Sequence, residues 1–563
     1  MNPGFFFGDR ETRTVFAASL AGTVIAFLLV AATRTLRIGP FTASFTYLVG
    51  DIDFNACLPF AVVLAAALLR PLQRGALALA DWLGAHPLAT AALTVATLAL
   101  GTHLVYHAHP LSMDEYAPYF QSRAFAAGEM TGRLPPPLID WLVPKGFQTM
   151  FFRLDPASGA IVSVYYPGMA LLLTPFSFLG VPWLLNPLIG GATVLVMHAL
   201  GRALFGSERA AGLAVLFTIA SSAVTLNAIS FYSMPAHLLC NALFALLLLR
   251  ATPRRALLAG VIGSLALVLN NPVPHLLFAL PWIVWLAADA GRRRMLLPLA
   301  AGYLPLCALL GLGWTYYLRG FGVSLAAGAA EPVSLVARMF AGVFRLPTGV
   351  VFEARMVAAA KIWVWSAPAL VTLAFLGTWR LRDESGPWLV LAACAFLTYV
   401  GYLFVPYDQG HGWGFRYFHG AWLVIPLLAV AAVHAPAGAA NAAAPAASSP
   451  AAGYAAACAL LGLLTVTVYQ AVLMERFLGR HLAQLPTAGL RDLGGEPRVV
   501  IVDASRGFYR IDLVQNDPFL RNRVLTLVSG GRAADEAMMR ERFPGLARLS
   551  SGERGTVWGI PAR

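Results

Sequence analysis

His109-Pro110-Leu111-Ser112-Met113-Asp114-Glu115-Tyr116 is the stretch on which the reading of this chain turns. It follows an apolar run over residues 88–107 and opens a long polar stretch, beyond which many more apolar runs follow. Two adjacent carboxylates where a hydrophobic helix leaves a bilayer are costly to place, and such residues point to function. The spacing alone fits a solvated acidic cap equally well, on a helix starting at Tyr116 whose N-terminus favours negative charge.

The rest of the chain supplies the bilayer. Its 563 residues are 58% hydrophobic and 12% charged, against about 25% charged in a soluble domain. That composition describes an all-α polytopic membrane protein surrounded by lipid. The net charge of +13 does not imply nucleic acid, because the basic residues sit in short clusters between apolar runs, the pattern that holds cytoplasmic loops in place. The five cysteines (Cys57, Cys240, Cys307, Cys394, Cys458) lie in or beside apolar runs without metal-site spacing and read as small buried hydrophobes.

Runs of roughly 20 apolar residues predict about thirteen transmembrane helices. They fall at 14–33, 53–71, 88–107, 183–201, 210–229, 234–250, 255–270, 274–289, 295–317, 357–378, 387–405, 417–433 and 453–473. The first is longer than a signal-peptide core and lacks a clear cleavage site, so it reads as a retained helix. With a cytoplasmic N-terminus the basic turns at Arg70/Arg74, Arg202/Arg209, Arg250/Arg254/Arg255, Arg292/Arg293/Arg294 and Arg380/Arg382 all fall inside. Residues 168–180 are apolar but too short to cross and contain Pro175, and they read as re-entrant or interfacial.

This order gathers the polar turns on the outer face: residues 107–167, 230–237, 270–275, 319–355 and 406–416. Within the first, Tyr119, Phe120, Ala124 and Ala127 have helical spacing, so residues 115–130 predict a helix lying along the interface. Residues 334–344 read the same way, and the Ala/Pro/Ser-rich stretch 436–453 reads as a tether. From about residue 485 the pattern changes to strands at 498–502, 524–528 and 555–560 with a helix at 534–543, a small outer α/β domain.

Asp114 is the candidate general base, and Glu115 can tune or orient it. A phosphate-bearing substrate needs cations on the same face. Arg416, in Gly412-Trp413-Gly414-Phe415-Arg416-Tyr417, can grip a phosphate bidentately or simply anchor the helix among interfacial aromatics. Arg338, Arg345 and Lys145 are further phosphate candidates. Tyr116, Tyr166, His237, Asn270, Asn271, His275, His411, Trp413 and His419 line the same turns and are candidates for a substrate pocket. No pair of the histidines has zinc-motif spacing, and Asn270 and Asn271 sit where Pro272 and Pro274 break a helix.

The pattern resembles the C-type (GT-C) superfamily of integral-membrane glycosyltransferases, which use polyprenyl-phosphate sugars, and within it the bacterial aminoarabinose transferases and protein O-mannosyltransferases. The resemblance rests on Asp114-Glu115-Tyr116 with the helix through Glu129 and on Tyr165-Tyr166-Pro167-Gly168-Met169-Ala170-Leu171-Leu172. It rests also on Gly201–Gly206 with Arg209–Leu213, and on Gly412–Tyr417. It implies a GT-C-like transmembrane catalytic domain over 88–475 with a periplasmic loop at 108–167. Two extra helices would precede it in 1–87, and a periplasmic α/β domain would follow in 476–563. Asp114 matches the family's catalytic acidic position, and Arg416 a basic position near the lipid phosphate. Two departures stand out. Tyr165-Tyr166-Pro167-Gly168 stands where relatives often carry Lys or paired prolines, and Asn270-Asn271 replaces a usual basic residue.

The expectation is therefore a multi-pass enzyme of the bacterial inner membrane that moves a sugar from a polyprenyl-phosphate donor to a glycan, lipid or protein acceptor, with inversion. No cofactor is expected; Asp140 and Asp155 are the carboxylates open to a metal. The competing classes are a flippase for lipid-linked glycans and a non-catalytic polyprenyl-lipid-binding subunit. A transporter predicts charges buried within the helices and an internal repeat, and the sequence displays neither.

Overall fold

The computed structural model describes residues 9–36, 48–321, 344–384, 386–407, 409, 412–437, 449–488, 495–507 and 509–561. Helices dominate, and every apolar run read from the sequence falls on helical structure. Among the described residues, six helices are long and apolar enough to cross a bilayer alone, and two bent pairs raise the count to as many as eight. The other five of the about thirteen expected runs form shorter helices. Met234–Leu249 has 16 residues, about 24 Å at 1.5 Å per residue, and Val424–Val433 is buried at all ten positions. Helices enclosed by protein need not match the bilayer thickness.

The run at 357–378 is two helices, Gly349–Trp365 and Leu370–Arg380, bent by 100°. Pro368 and the left-handed Ala369 (φ 67°) make the corner. A hydropathy sum cannot register a bend between two apolar segments. The segment at 168–180 forms an 11-residue helix, Gly168–Phe178, and Arg70–Ala85 adds a helix that was not foreseen.

The turns sort to two ends of the bundle. Leu185–Phe205 runs between them: Asn186 donates to the carbonyls of Ser230 (2.7 Å) and Tyr232 (2.9 Å) at one end. At the other end Arg202 pairs with Glu208, and Arg209 grips Asp81 with two bonds of 2.6 and 2.7 Å.

The loop after Leu104 holds the helix Met113–Ala126, two residues ahead of its expected start, and an unforeseen sheet. Strands β1 (Gly132–Arg133), β2 (Phe152–Leu154) and β3 (Ala160–Ser163) pair antiparallel in the order β1-β3-β2. A four-stranded sheet lies near the C-terminus, built from β4 (Gly495–Val502), β5 (Leu525–Val528), β6 (Ala547–Gly552) and β7 (Gly555–Pro561) with the helix Arg532–Arg542. Its order is β5-β4-β7-β6; β4 and β5 are parallel and β6 is the strand the sequence did not reveal. Met113, Tyr116, Phe120 and Ile161 of the loop share one apolar core with Val499, Ile501, Leu527 and Met538. Arg123 pairs with the buried Asp517 at 2.5 Å across this seam. The loop helix is therefore braced from both sides.

Candidate active site

Ser112 is the N-cap of the helix Met113–Ala126, and Glu115 closes a capping box with it. Glu115 does more than cap. Its fully buried carboxylate accepts from the Leu111 N–H (2.8 Å), the Ser112 N–H (3.3 Å), the Phe231 N–H (2.8 Å) and the Tyr106 hydroxyl (2.9 and 3.0 Å). Burial pushes it up to about 7 against the pull of those donors. This carboxylate ties the loop helix to the turn at 230–232.

Asp114, one residue earlier, points the other way. Its side chain is 28% exposed and 2.9 Å from Arg416 Nη1, and it also accepts from the Tyr165 hydroxyl. Burial, and next the Asp114 charge, push the Tyr165 phenol well above its ordinary range, so it remains a donor. Arg416 donates further to the Gln409 carbonyl (2.6 Å), and its guanidinium lies 4.4 Å from the centre of the Tyr232 ring. The turn carrying Arg416 folds on itself through Gly412 and Gly414 (φ 141° and 70°), which lets Gln409 bond both the Gly414 carbonyl and the Arg416 N–H.

The structure thus joins two motifs 302 residues apart into one ion pair. Trp413 supports it, donating to Tyr106 at 3.3 Å while its carbonyl accepts from Asn227 at 3.0 Å. Arg355, which the sequence did not single out, is 2% exposed and bonds the carbonyls of Tyr402, Val405 and Tyr407 at 2.8 to 3.0 Å, clamping the approach to Gln409. Tyr165, Tyr106, Tyr232 and Gln409 were also not singled out for these roles.

Other candidates lie elsewhere. Tyr116 bonds the backbone of Asn516 and docks the C-terminal sheet. Tyr166 meets the Asn270 carbonyl through its backbone, and Asn271 caps Val273. His275 bridges Asn241 (2.7 Å) and Tyr303 (2.6 Å), while His419 lies between the carbonyls of Met234 and Ala223. His237 is buried with neither ring nitrogen paired among the described residues. Lys145 is 81% exposed beside Asp140, and Arg345 is exposed. Arg338 and His411 lie outside the described residues. Asp155 holds its own turn through Ala157 and Ser158, and no trio of His, Cys, Asp or Glu among the described residues is arranged to hold a metal.

One charge pair overturns an expectation. Asp53 and Lys361 are both buried and 2.5 Å apart, with Trp365 Nε1 on the same carboxylate at 2.6 Å. Charges therefore do lie within the helices. The Trp365 ring lies against Gly414 and backs the Arg416 turn.

No protein-family model and no curated protein matches the sequence. Solved structures do. The chain is similar to ArnT from Cupriavidus metallidurans bound to undecaprenyl phosphate, with TM-score 0.53 and 12% identity over 83% of this chain and 97% of that one. It is likewise similar to the apo state of the same protein, with TM-score 0.51 and 14% identity over 84% and 96%. The chain is built on an ArnT-like fold.

Proposed function

We propose that this protein transfers a sugar from a polyprenyl-phosphate donor to an acceptor hydroxyl at the outer face of the bacterial inner membrane. The observation that carries this reading is the partly exposed Asp114 carboxylate, paired with Arg416 and held by Tyr165, on an ArnT-like fold. That a neighbour in fold was solved with undecaprenyl phosphate supports a lipid phosphate as donor anchor.

In the resting chain Arg416 neutralises Asp114. A donor phosphate entering beside Arg416 competes for the guanidinium, which can hold an oxyanion bidentately. Asp114 then takes the proton of the acceptor hydroxyl as its oxygen attacks the anomeric carbon. The bond from that carbon to the phosphate oxygen breaks, and polyprenyl phosphate leaves with its charge held by Arg416. One displacement inverts the configuration, and the scheme requires no metal. Glu115 positions the helix and takes no part in proton transfer. The outer face is supported by the basic turns at Arg202 and Arg209, which lie at the end of the bundle away from Asp114.

The test is transfer of labelled sugar from a polyprenyl-phosphate donor in membranes carrying wild type or Asp114→Asn. A loss of about 10²–10⁴-fold is expected of the variant. Undiminished transfer by the variant defeats the base assignment, and transbilayer movement of donor without transfer by the wild type favours the flippase.

A further inference from the structure

The sheet near the C-terminus has a crevice built into its topology. Strands β4 and β5 run parallel, so both end on the same edge, at Val502 and Val528. The chain leaving β4 packs on one face of the sheet, where Val514 joins Val500, Val502 and Val557. The chain leaving β5 enters the helix Arg532–Arg542 on the other face, where Met538 and Met539 join Val499, Ile501 and Leu527. Connections departing to opposite faces leave a gap outside the carboxyl ends of the strands, the usual ligand position in open α/β sheets.

A cleft of about 410 Å³ lies there, lined by Asp503, Ser529, Arg532, Glu536, Arg548 and Trp558. Its size falls within the roughly 300–1,000 Å³ of small-molecule sites. The partly buried Trp558 forms an apolar wall of this cleft. Glu536 sits between Arg532 (3.2 Å) and Arg548 (2.8 Å), which fixes a row of alternating donors and acceptors beside the ring.

The chemistry favours a polyol over an anion. The turn leading into the helix already holds a carboxylate, because Asp535 accepts from the Gly530 N–H at 2.8 Å, the Ser529 hydroxyl at 2.5 Å and the Trp141 indole at 3.1 Å. A phosphate would meet that charge together with Asp503 and Glu536. A sugar ring presents C–H groups to an indole and paired hydroxyls to carboxylate and guanidinium.

We infer that this cleft is a carbohydrate-binding site that holds the acceptor glycan; its role as acceptor site rests on the glycosyltransferase reading, whereas its binding of sugar does not. The test uses the full chain in lipid nanodiscs on a microarray of bacterial surface oligosaccharides, comparing wild type with Trp558→Ala, Ser551→Trp and Asp114→Asn. Ser551 is exposed at the rim, so Ser551→Trp blocks the cleft without touching the core. Wild type and Asp114→Asn are expected to retain the same oligosaccharides, with retention falling about tenfold or more in the two cleft variants. No retention by wild type, or equal retention by Ser551→Trp, overturns the proposal. Absence of sugar transfer by wild type would instead overturn the glycosyltransferase reading and leave the sugar-binding cleft standing, whereas retained transfer by Asp114→Asn would overturn only the base assignment.

Discussion

Arg416 Nη1 lies 2.9 Å from the Asp114 carboxylate, and each residue is the other's charged partner in the resting site. In the proposed reaction they act in sequence, Arg416 on the donor phosphate and Asp114 on the acceptor proton. Arg416→Ala should lower kcat by about 10²–10³-fold, the usual loss of one preorganised charge at a departing oxyanion, and raise KM for the donor. Arg416→Lys should recover only part of the loss, because an ammonium cannot reproduce the planar fork. Steady-state kinetics with donor and acceptor varied separately checks this, and an effect confined to acceptor KM would remove Arg416 from the phosphate.

Tyr165 holds Asp114 from the other side through its hydroxyl. Hydrogen bonds to charged groups contribute about 1.5–3 kcal/mol, so Tyr165→Phe should slow transfer by roughly 10- to 100-fold if the bond is kept in the transition state. Tyr166→Phe, whose hydroxyl bonds Thr315 and whose contact with Asn270 is through the backbone, should slow transfer far less. Equal effects of the two substitutions would remove the specific role of Tyr165.

The contrast between these two tyrosines shows where sequence reasoning reached its limit. Asp114 was legible because an ionised side chain at a helix exit demands a reason, and Arg416 because it opens a helix among aromatics. Their pairing was not, since nothing local links positions so far apart. Tyr165 and Tyr166 are adjacent just beyond β3, and which ring turns inward depends on the path of the strand. Composition is the same for both. Glu115 was legible and underused: Ser112-x-x-Glu115 is a capping-box spacing, but its further bonds to Tyr106 and Phe231 come from tertiary packing. The fold class was plain from hydropathy. The bend at Pro368 and the short enclosed helices escaped because hydropathy measures apolar length and not direction.

Glu115 makes stability depend on pH. Its folded-state value, near 7, stands above the ordinary 4.5, so the folded chain binds this proton more tightly than the unfolded chain. Stability is then greatest below about 4.5 and falls as pH rises through the interval to 7, by on the order of 3 kcal/mol for this group. Glu115→Gln cannot ionise and should flatten that slope while costing stability at low pH, because one amide donor faces the N–H groups the carboxylate accepts from. Thermal unfolding in detergent from pH 5 to 8 measures both. A wild-type profile that rises with pH over this interval, with the same profile for the variant, would show that other groups dominate.

Asp53 and Lys361 make the last prediction, because a buried pair behaves differently when broken and when replaced. Removing one partner leaves an uncompensated charge among apolar helices, so Lys361→Met alone should destabilise by about 3–5 kcal/mol, and replacing both should cost far less. The Trp365 indole also bonds Asp53 and packs against Gly414, so the single variant should loosen the turn that carries Arg416. Donor KM is therefore expected to rise in Lys361→Met. It should recover in the double variant Asp53→Asn, Lys361→Met, where the substituted amide keeps a carbonyl oxygen to accept from the Trp365 indole. A double variant as unstable as the single would mean that the charges do more than offset each other. An unchanged donor KM in the single variant would uncouple the pair from the site.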